Sequence, residues 1–456
     1  MPAAKLSLAG LLISSVLLHA QSSPLSSQLD ERISAALAAS GAPSVSVAVV
    51  ENGRIAYAKA FGKANIGENR PATAATRYAI GSVSKQFTAA AILLLAEQGK
   101  LSLDDKVGKY LPDLTRAGEV TIRELLSHTS GYEDYAPQDY IIPEWTRAIT
   151  PGEILDRWAK KPLNFDPETR WQYSNTNYVI AGQILEKVSG QPLVAFLREK
   201  IFGPLGMATP GEITDHDPGD ASAYTRYALG PPRLVAREGP GWMFAAGELA
   251  MTPTDLARWD VAFLEKKILS SRSYDDFTRE VKLKDGKPTH YALGLGLGDI
   301  NGSPMISHTG EVSGFLTSNA VFPSKGAAVV VCSNEDGISF VGPLARQIEE
   351  LLLGTASEQE LSEVRGILES LRQGRVDRAL FTSDANAYFN EVVLQDFAAS
   401  LQALGKLQGV TKTNEQLRGG MTHRTYRAQF QKKTVLLNIY LMPGGKYEQF
   451  LVEEAL

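Results

Sequence analysis

Residues 80–98 of the 456-residue chain read IGSVSKQFTAAAILLLAEQ, a Ser-x-x-Lys pattern at the start of an apolar helix. Ser82 and Lys85 are three residues apart, so on a helix that opens after Gly81 their side chains face the same way. The positive end of that helix favours a developing anion at Ser82. A buried stripe would hold the pair rigidly, and its members are Phe87, Ala90, Ala91, Leu94 and Leu95. Because a chain of this length contains roughly one Ser-x-x-Lys by composition alone, the pattern needs support from elsewhere in the sequence.

The segments around this helix predict the fold. Asn52-Gly53 and Asn301-Gly302 are two-residue hairpin signals between alternating hydrophobic residues. Strands are predicted at 44–50, 54–61, 291–298, 305–309, 315–322 and 327–332. Helical patterns cover 29–39, much of 82–201, 253–263 and 341–353, and an irregular excursion covers 215–241. Strands at both ends with helices between them predict an α/β (α+β) fold, mainly antiparallel sheet flanked by helices with an inserted helical subdomain.

The chain is too long for one ordinary domain. Residues 354–357 read as a short linker, so a main domain is expected over 21–354 and a small C-terminal α+β domain over 355–456. In the latter, two helices precede three strands, predicted at 358–372, 392–404, 422–430, 434–441 and 446–452. Such a unit can serve as a binding or oligomerisation module, so a homo-oligomer is one expected partnership.

Residues 1–20 have the features of a signal peptide. Lys5 supplies a positive charge, 6–18 is apolar, and Ala20 provides a small residue at the cleavage point. The apolar run is shorter than the roughly 20 residues needed to span a bilayer. We therefore expect a mature chain from Gln21 that is secreted or periplasmic and carries no membrane anchor after cleavage.

The composition excludes several classes of function. A net charge of -5 and a pI near 5.8, with no basic run, argue against a nucleic-acid partner. The single cysteine, Cys332, lies in a predicted buried strand and is expected to be inert. The six histidines are scattered, so neither a metal site nor a cofactor is predicted.

Two further motifs support a site around Ser82. Tyr173-Ser174-Asn175 precedes a predicted helix, and a phenol whose pKa is lowered by nearby ammonium groups can accept a serine proton. Asn175 can hold a substrate oxygen or simply cap the helix. His308-Thr309-Gly310 ends a predicted strand, and the next backbone N–H, at Glu311, could join that of Ser82 in an oxyanion hole. A lone histidine at a strand end is, however, more often structural.

The order of these motifs resembles the serine β-lactamase and penicillin-binding-protein superfamily, closest to its class C and D-alanyl-D-alanine carboxypeptidase branch. The resemblance spans about 28–353 and rests on 80–88, 125–131, 173–178 and 308–310, with weaker agreement at 246–249 and 255–259. It implies that Ser82 is acylated and that Lys85 and Tyr173 share the proton transfers. The substrate-binding residues that it implies are Asn175, His308, Thr309, Gly310 and Glu311. His128, in the second segment, closes a helix and is expected to be structural.

Two departures from the family pattern bear on the substrate. The third motif of the family usually begins with lysine, whereas His308 is mostly neutral at pH 7. Glu311 adds a negative charge close by. Both weaken the case for binding a β-lactam or a terminal carboxylate, and they favour resemblance to the esterases, D-aminopeptidases and amide hydrolases of the superfamily.

The sequence therefore predicts a serine hydrolase that forms an acyl-enzyme on a small ester, amide or D-amino-acid peptide. The alternatives are a β-lactamase or D-Ala-D-Ala carboxypeptidase, and a non-catalytic ligand-binding or sensor protein on the same scaffold. Aromatic residues in loops either line the acyl pocket or pack the loops themselves. They are Tyr132, Tyr135, Tyr140, Trp145, Tyr224, Tyr227, Trp242 and Phe244.

Overall fold

The Asn52-Gly53 turn joins the first two strands of the main sheet. Both residues have positive φ, 53° and 71°, which is the type I′ geometry that matches strand twist. Asn301-Gly302 repeats this geometry between two later strands, with φ of 54° and 75°. Both predicted hairpins are therefore present in the computed structural model. The model describes residues 24–138, 140–215, 217–353, 358–418 and 420–454, so the predicted signal peptide and linker lie outside the described residues.

The strands, in chain order, are β1 (Ser44–Glu51), β2 (Arg54–Asn65), β3 (Arg70–Pro71), β4 (Tyr78–Ala79), β5 (Gly211–Glu212), β6 (Tyr224–Thr225), β7 (Arg233–Leu234), β8 (Leu249–Met251), β9 (Gly296–Ile300), β10 (Ser303–Val312), β11 (Phe315–Phe322), β12 (Ala327–Ser333), β13 (Leu407–Arg418), β14 (Met421–Phe430), β15 (Thr434–Leu441) and β16 (Tyr447–Glu454). The main sheet has the order β3-β2-β1-β12-β11-β10-β9. Each neighbouring pair in it is antiparallel. The first and last parts of the domain thus meet at β1 and β12.

The helices are α1 (Pro24–Ser40), α2 (Lys85–Glu97), α3 (Ile122–Leu126), α4 (Pro151–Ile154), α5 (Asn175–Ser189), α6 (Leu193–Leu197), α7 (Phe244–Gly247), α8 (Pro253–Leu264), α9 (Ser271–Thr278), α10 (Val341–Leu353), α11 (Glu358–Arg372), α12 (Ser383–Tyr388) and α13 (Glu391–Ala403). A 3₁₀ turn, Gly81–Ser84, leads directly into α2. Helix α2 packs against α5 and α7 in the inserted helical subdomain.

The two central strands are covered by helices on both faces. Alternate residues of β1 enter different cores, because successive side chains of a strand point to opposite faces. Val47 and Val49 pack with Leu344 of α10 and Leu29 of α1. Ala48, on the other face, belongs to the large core that includes α2 and α8. Continuous burial of β1 and β12 follows from this three-layer arrangement and explains their uninterrupted apolar sequences.

One predicted strand is shorter than the sequence indicates. The alternating pattern predicts strand from 291, but β9 begins at Gly296. At Gly294, φ is +74° and a Cβ atom would lie 2.8 Å from Tyr178 Oη and 3.0 Å from Lys85 O. The chain turns there because it packs directly against the backbone of α2 and the side chain of α5, a close approach that only glycine allows.

The C-terminal part has its own sheet, β13-β14-β15-β16, against which helices α11 and α12 pack, while α13 packs on α11. Its core includes Leu368, Leu371, Tyr426 and Leu437. The predicted fold class, with a separate small α+β unit, is confirmed. The sequence analysis did not predict α12 or β13. The sequence of β13, LQGVTKTNEQLR, is polar and contains no alternating apolar run.

Candidate active site

Two glycines bring strand β10 against the turn that carries Ser82. Gly81 has φ of +49°, and a Cβ atom on it would lie 2.7 Å from Glu311 N. A Cβ atom on Gly310 would lie 1.9 Å from Ile80 O and 3.2 Å from Ser82 N. Side chains at either position would separate the two backbones. The N–H groups of Ser82 and Glu311, predicted to form an oxyanion hole, therefore lie on facing segments.

Lys85 is fully buried and is oriented by three oxygen atoms. Its Nζ lies 2.9 Å from Ser82 Oγ, 2.8 Å from Asn175 Oδ1 and 2.7 Å from Ala246 O. The two carbonyl oxygens can only accept hydrogen bonds. A neutral amine that donates its two N–H groups to them therefore directs its lone pair at Ser82 Oγ. This is the arrangement that a general base for Ser82 requires.

Burial lowers the pKa of Lys85 to about 7, since a charged ammonium loses its hydration there. The Asp134 carboxylate opposes this effect and raises the pKa. A substantial fraction of Lys85 is therefore neutral near pH 7, whereas an exposed lysine would be almost fully protonated.

Tyr173 lies beside the pair, with its ring centroid 4.9 Å from Lys85 Nζ. Its hydroxyl is buried and has no hydrogen-bond partner of ordinary geometry among the described residues. Burial raises its pKa well above the usual value for tyrosine, and the adjacent Ser82 hydroxyl opposes this rise. The expectation that nearby ammonium groups lower this pKa is wrong, because Lys85 is itself only partly charged and desolvation dominates.

Asn175 is held by Asp134, a residue that the sequence analysis missed. The Asp134 carboxylate accepts hydrogen bonds from the Asn175 backbone N–H at 2.9 Å and from its Nδ2 at 3.2 Å. This contact turns Asn175 Oδ1 toward Lys85. Ser174, not Asn175, occupies the N-cap position of α5, so Asn175 is not the helix cap. Asp134 follows the Ser127–Gly131 segment by three residues, which was the only sequence signal for it.

His308 is neutral, and both ring nitrogens are engaged within the protein. Nδ1 lies 2.6 Å from the carbonyl oxygen of Thr309, so it must carry the proton, and Nε2 therefore accepts from the Tyr291 hydroxyl at 2.8 Å. Burial, followed by the charge of Lys85, lowers the pKa of His308 to about 4. The imidazole thus offers no positive charge to a substrate carboxylate at neutral pH.

His128 occupies a structural position behind Tyr173. Its ring is fully buried, its centroid is 4.3 Å from that of Tyr173, and its Nδ1 accepts a hydrogen bond from the Ser174 backbone N–H at 3.2 Å. Burial keeps its pKa well below the usual value. A φ of +60° at this residue ends the turn after α3. His128 thus positions the segment that carries Tyr173.

A cavity of about 660 Å³ opens in front of Ser82, within the range of small-ligand sites. Its wall includes the predicted residues Ser82, Tyr173, Asn175, His308, Thr309 and Glu311. Lys85 lies behind this wall. The other lining residues are Asp134, Ala136, Pro137, Gln138, Tyr140, Trp145, Trp171, Gln172, Glu238, Met243, Val312, Ser313 and Asp336.

The predicted aromatic rim divides between two roles. Tyr140 and Trp145 line the cavity, as does Trp171, which the sequence analysis missed. The others do not line it: Tyr132, Tyr135, Tyr224, Trp242 and Phe244 are buried, and Tyr227 is exposed. Trp242 stacks on Trp145 with ring centroids 5.3 Å apart, so these buried rings support the cavity wall from behind.

Outside the cavity, Cys332 is buried in β12, and burial raises the pKa of its thiol to about 12. In the part of the chain that the structure describes, no group of three or more His, Cys, Asp or Glu side chains is placed to hold a metal ion. A helix suited to crossing a membrane is likewise not found over the described ranges.

Comparison with known proteins gives consistent matches. The sequence profile of the family described as Beta-lactamase matches residues 29–353. Penicillin-binding protein 4* of Bacillus subtilis (strain 168) is 29% identical over 395 residues, covering 81% of this chain and 82% of that protein. The D-aminopeptidase of Brucella anthropi is 28% identical over 318 residues, covering 69% of this chain and 60% of that protein. An octameric penicillin-binding protein homologue from Pyrococcus abyssi matches structurally with a TM-score of 0.65 and 25% identity, covering 93% of this chain and 95% of that one.

Proposed function

The chain belongs to the Beta-lactamase family, and from this premise we propose that it is a serine hydrolase that acylates Ser82 and acts on small ester, amide or D-amino-acid peptide substrates. The observation that carries the proposal is the 2.9 Å contact between Lys85 Nζ and Ser82 Oγ, with the lysine oriented by two carbonyl groups. The similarity to the D-aminopeptidase of Brucella anthropi supports the amide and D-peptide part of this range.

In the proposed reaction, neutral Lys85 takes the hydroxyl proton of Ser82 while Oγ attacks the substrate carbonyl carbon. The N–H groups of Ser82 and Glu311 hold the resulting oxyanion. Collapse breaks the bond to the alcohol or amine, which leaves with the proton returned from Lys85 through the neutral Tyr173 hydroxyl. Water then attacks the carbonyl carbon of the Ser82 ester while Lys85 takes its proton. Lys85 returns that proton to Ser82 Oγ as the acyl bond breaks, which releases the acid and restores both residues.

The charges of the cavity favour substrates without a carboxylate. His308 is neutral, and no lysine or arginine lines the cavity over the described ranges. A β-lactam antibiotic or a D-Ala-terminated peptide would bring a carboxylate next to Asp134 and Glu311. We therefore expect hydrolysis of an uncharged ester to exceed that of a cephalosporin by a wide margin in kcat/KM. The opposite ranking in a substrate panel would favour the β-lactamase alternative.

The nucleophile is tested by covalent labelling. A fluorophosphonate probe should label the wild-type chain stoichiometrically and should not label Ser82→Ala. Persistent labelling of the variant would contradict the assignment of Ser82. A wild-type protein that neither reacts with the probe nor hydrolyses any member of the panel would favour the non-catalytic sensor alternative.

We also propose export and homo-oligomerisation. The features of residues 1–20 support cleavage before Gln21, so amino-terminal sequencing of protein recovered outside the cytoplasm should begin at Gln21; recovery with Met1 intact inside the cell would contradict export. The octameric relative from Pyrococcus abyssi supports an oligomer. Light scattering should give a multiple of the chain mass for the full chain and a monomer after deletion beyond Gly354, whereas a monomeric full chain would contradict it.

A further inference from the structure

Two carboxylates in the cavity wall are each fixed by one oxygen atom only. Glu238 Oε1 accepts hydrogen bonds from Ser313 N at 3.0 Å and Ser313 Oγ at 2.8 Å. Asp336 Oδ2 accepts from Gly314 N at 2.6 Å. Ser313 and Gly314 form the turn between β10 and β11, so one short turn anchors both side chains beside the strand that carries the predicted oxyanion hole.

The second oxygen of each carboxylate is buried and unpartnered. Glu238 Oε2 and Asp336 Oδ1 have no hydrogen-bond partner among the described residues. The Glu238 side chain is held firmly, since the residue is only 7% exposed. A buried carboxylate oxygen without a donor costs free energy, so such atoms in a cavity wall indicate a donor that arrives with a ligand.

The neighbouring cations do not supply that donor. Arg237 directs its guanidinium to the carbonyl oxygens of Ile213 and Ala221, both at 3.0 Å. Arg226 pairs with Glu335. No lysine or arginine lines the cavity in the described part of the chain, and the acidic side chains that line it are Asp134, Glu238, Glu311 and Asp336.

We propose that Glu238 and Asp336 form a subsite for a protonated amine of the substrate, so that the enzyme prefers amides and esters whose acyl group carries an ammonium. This inference rests on the proposed hydrolase function and deepens it. A primary ammonium has three N–H donors, more than the two unpartnered oxygens need for one charge-assisted hydrogen bond each. Glu311 lines the same cavity.

The position of the subsite relates the amine to the reacting carbonyl. Ser313 follows Glu311 by two residues, directly after the end of β10, so their Cα atoms are at most about 7 Å apart. Both residues line the same cavity as Ser82. One substrate can therefore place its carbonyl at Ser82 and its amine at the two carboxylates. Substrates with different numbers of carbon atoms between the amine and the carbonyl will show which spacing is preferred.

The test compares p-nitroanilides of glycine, β-alanine, 4-aminobutyrate and 5-aminopentanoate with acyl isosteres in which a methyl group replaces the ammonium. For at least one chain length, wild-type kcat/KM should favour the amine by roughly 10- to 100-fold, the value of a charge-assisted hydrogen bond. Glu238→Gln and Asp336→Asn should each reduce this ratio about tenfold or more. Glu31→Gln, on exposed α1, removes the same charge far from the cavity and should leave the ratio intact.

Each outcome bears on the inference separately from the proposed function. If the methyl compounds are hydrolysed in a Ser82-dependent reaction but no chain length favours the amine, the subsite is overturned while the hydrolase proposal stands. If nothing is hydrolysed, calorimetric binding of n-butylammonium decides: binding that Glu238→Gln abolishes supports the subsite, and absence of binding overturns it. Glutamine retains the acceptor for Ser313, and unchanged melting temperatures would confirm that the variants fold.

Discussion

Replacing Asp134 by Asn should move the acid limb of the pH–rate profile toward lower pH. The base in the proposed reaction is neutral Lys85, whose pKa of about 7 is raised by the Asp134 carboxylate. Burial raises the pKa of Asp134, whereas the N–H hydrogen bonds that it accepts from Asn175 and Ala136, together with the charge of Lys85, oppose that rise and favour its charged form. Removing this charge removes an interaction that favours protonated Lys85, so the lysine should lose its proton at lower pH.

The magnitude follows from the geometry. Asn175 separates the two groups, so the charges are about 7 Å apart, and at an effective dielectric constant of about 20 they attract by about 2.4 kcal/mol, nearly 2 pKa units. Asp134 also lines the open cavity, where solvent screens part of this interaction. We therefore expect a shift of about 1 unit, which raises the neutral fraction of Lys85 at pH 6 from roughly a tenth to about half.

The assay is kcat/KM for an uncharged p-nitrophenyl ester between pH 5 and 9, followed for wild type and Asp134→Asn. The plateau of the variant should be lower, because a less basic amine accepts a proton less readily. Glu133→Gln is the matched control, since it removes the same charge one residue away, where the carboxylate pairs with Lys161 at 2.8 Å. An acid limb that stays in place in Asp134→Asn, or moves to higher pH, would refute either the charge on Asp134 or the role of Lys85 as the base.

Three further outcomes follow from the structure. Gly310→Ala should lower kcat for an uncharged ester by more than 100-fold, because its Cβ would lie 1.9 Å from a backbone oxygen beside the oxyanion hole, whereas Gly342→Ala, with open space around its Cβ, should not. His308→Lys should raise kcat/KM for a cephalosporin relative to that for the ester, since it restores a cation; an unchanged ratio would show that the neutral imidazole does not determine this selectivity. Cys332 should fail to react with a thiol reagent at pH 8 until the chain is unfolded, because its thiol is buried and its pKa is about 12.

Much of the fold was predictable from local sequence, and the exceptions have physical causes. The strands at 315–322 and the helix at 341–353 were predicted to the residue, because their apolar periodicity is strong and their ends carry turn residues. The missed strand β13 has no such periodicity, and it is held in the sheet by its antiparallel pairing with β14. A strand was wrongly predicted at 291–295 because the sequence alternates there. Such alternation does not reveal that the backbone at Gly294 packs closely against α2.

The candidate site was predictable where its residues form short motifs and not where they act on one another at long range. Ser82, Lys85, Tyr173 and Asn175 lie in recognisable patterns, and the structure brings them together. Asp134, Glu238 and Asp336 belong to no such pattern, and their role depends on contacts with residues distant in sequence. The pKa of Tyr173 was predicted in the wrong direction. The sequence motif identifies the residues near Tyr173, but it does not show that the Tyr173 hydroxyl is removed from water.

Hydration also explains why the lysine of this site has neutral partners. Lys85 loses its hydration in the core, and its two acceptors are the amide of Asn175 and the carbonyl of Ala246, which carry no net charge. A carboxylate in place of the Asn175 amide would attract the ammonium by about 4 kcal/mol at 4 Å and an effective dielectric constant of about 20, or about 3 pKa units. The lysine would then remain protonated at neutral pH and could not accept the proton of Ser82. Asp134 contacts Asn175 rather than Lys85 itself. The half-buried Asp134 carboxylate can therefore orient the Asn175 amide while Lys85 keeps a pKa of about 7, at which it can accept the proton of Ser82.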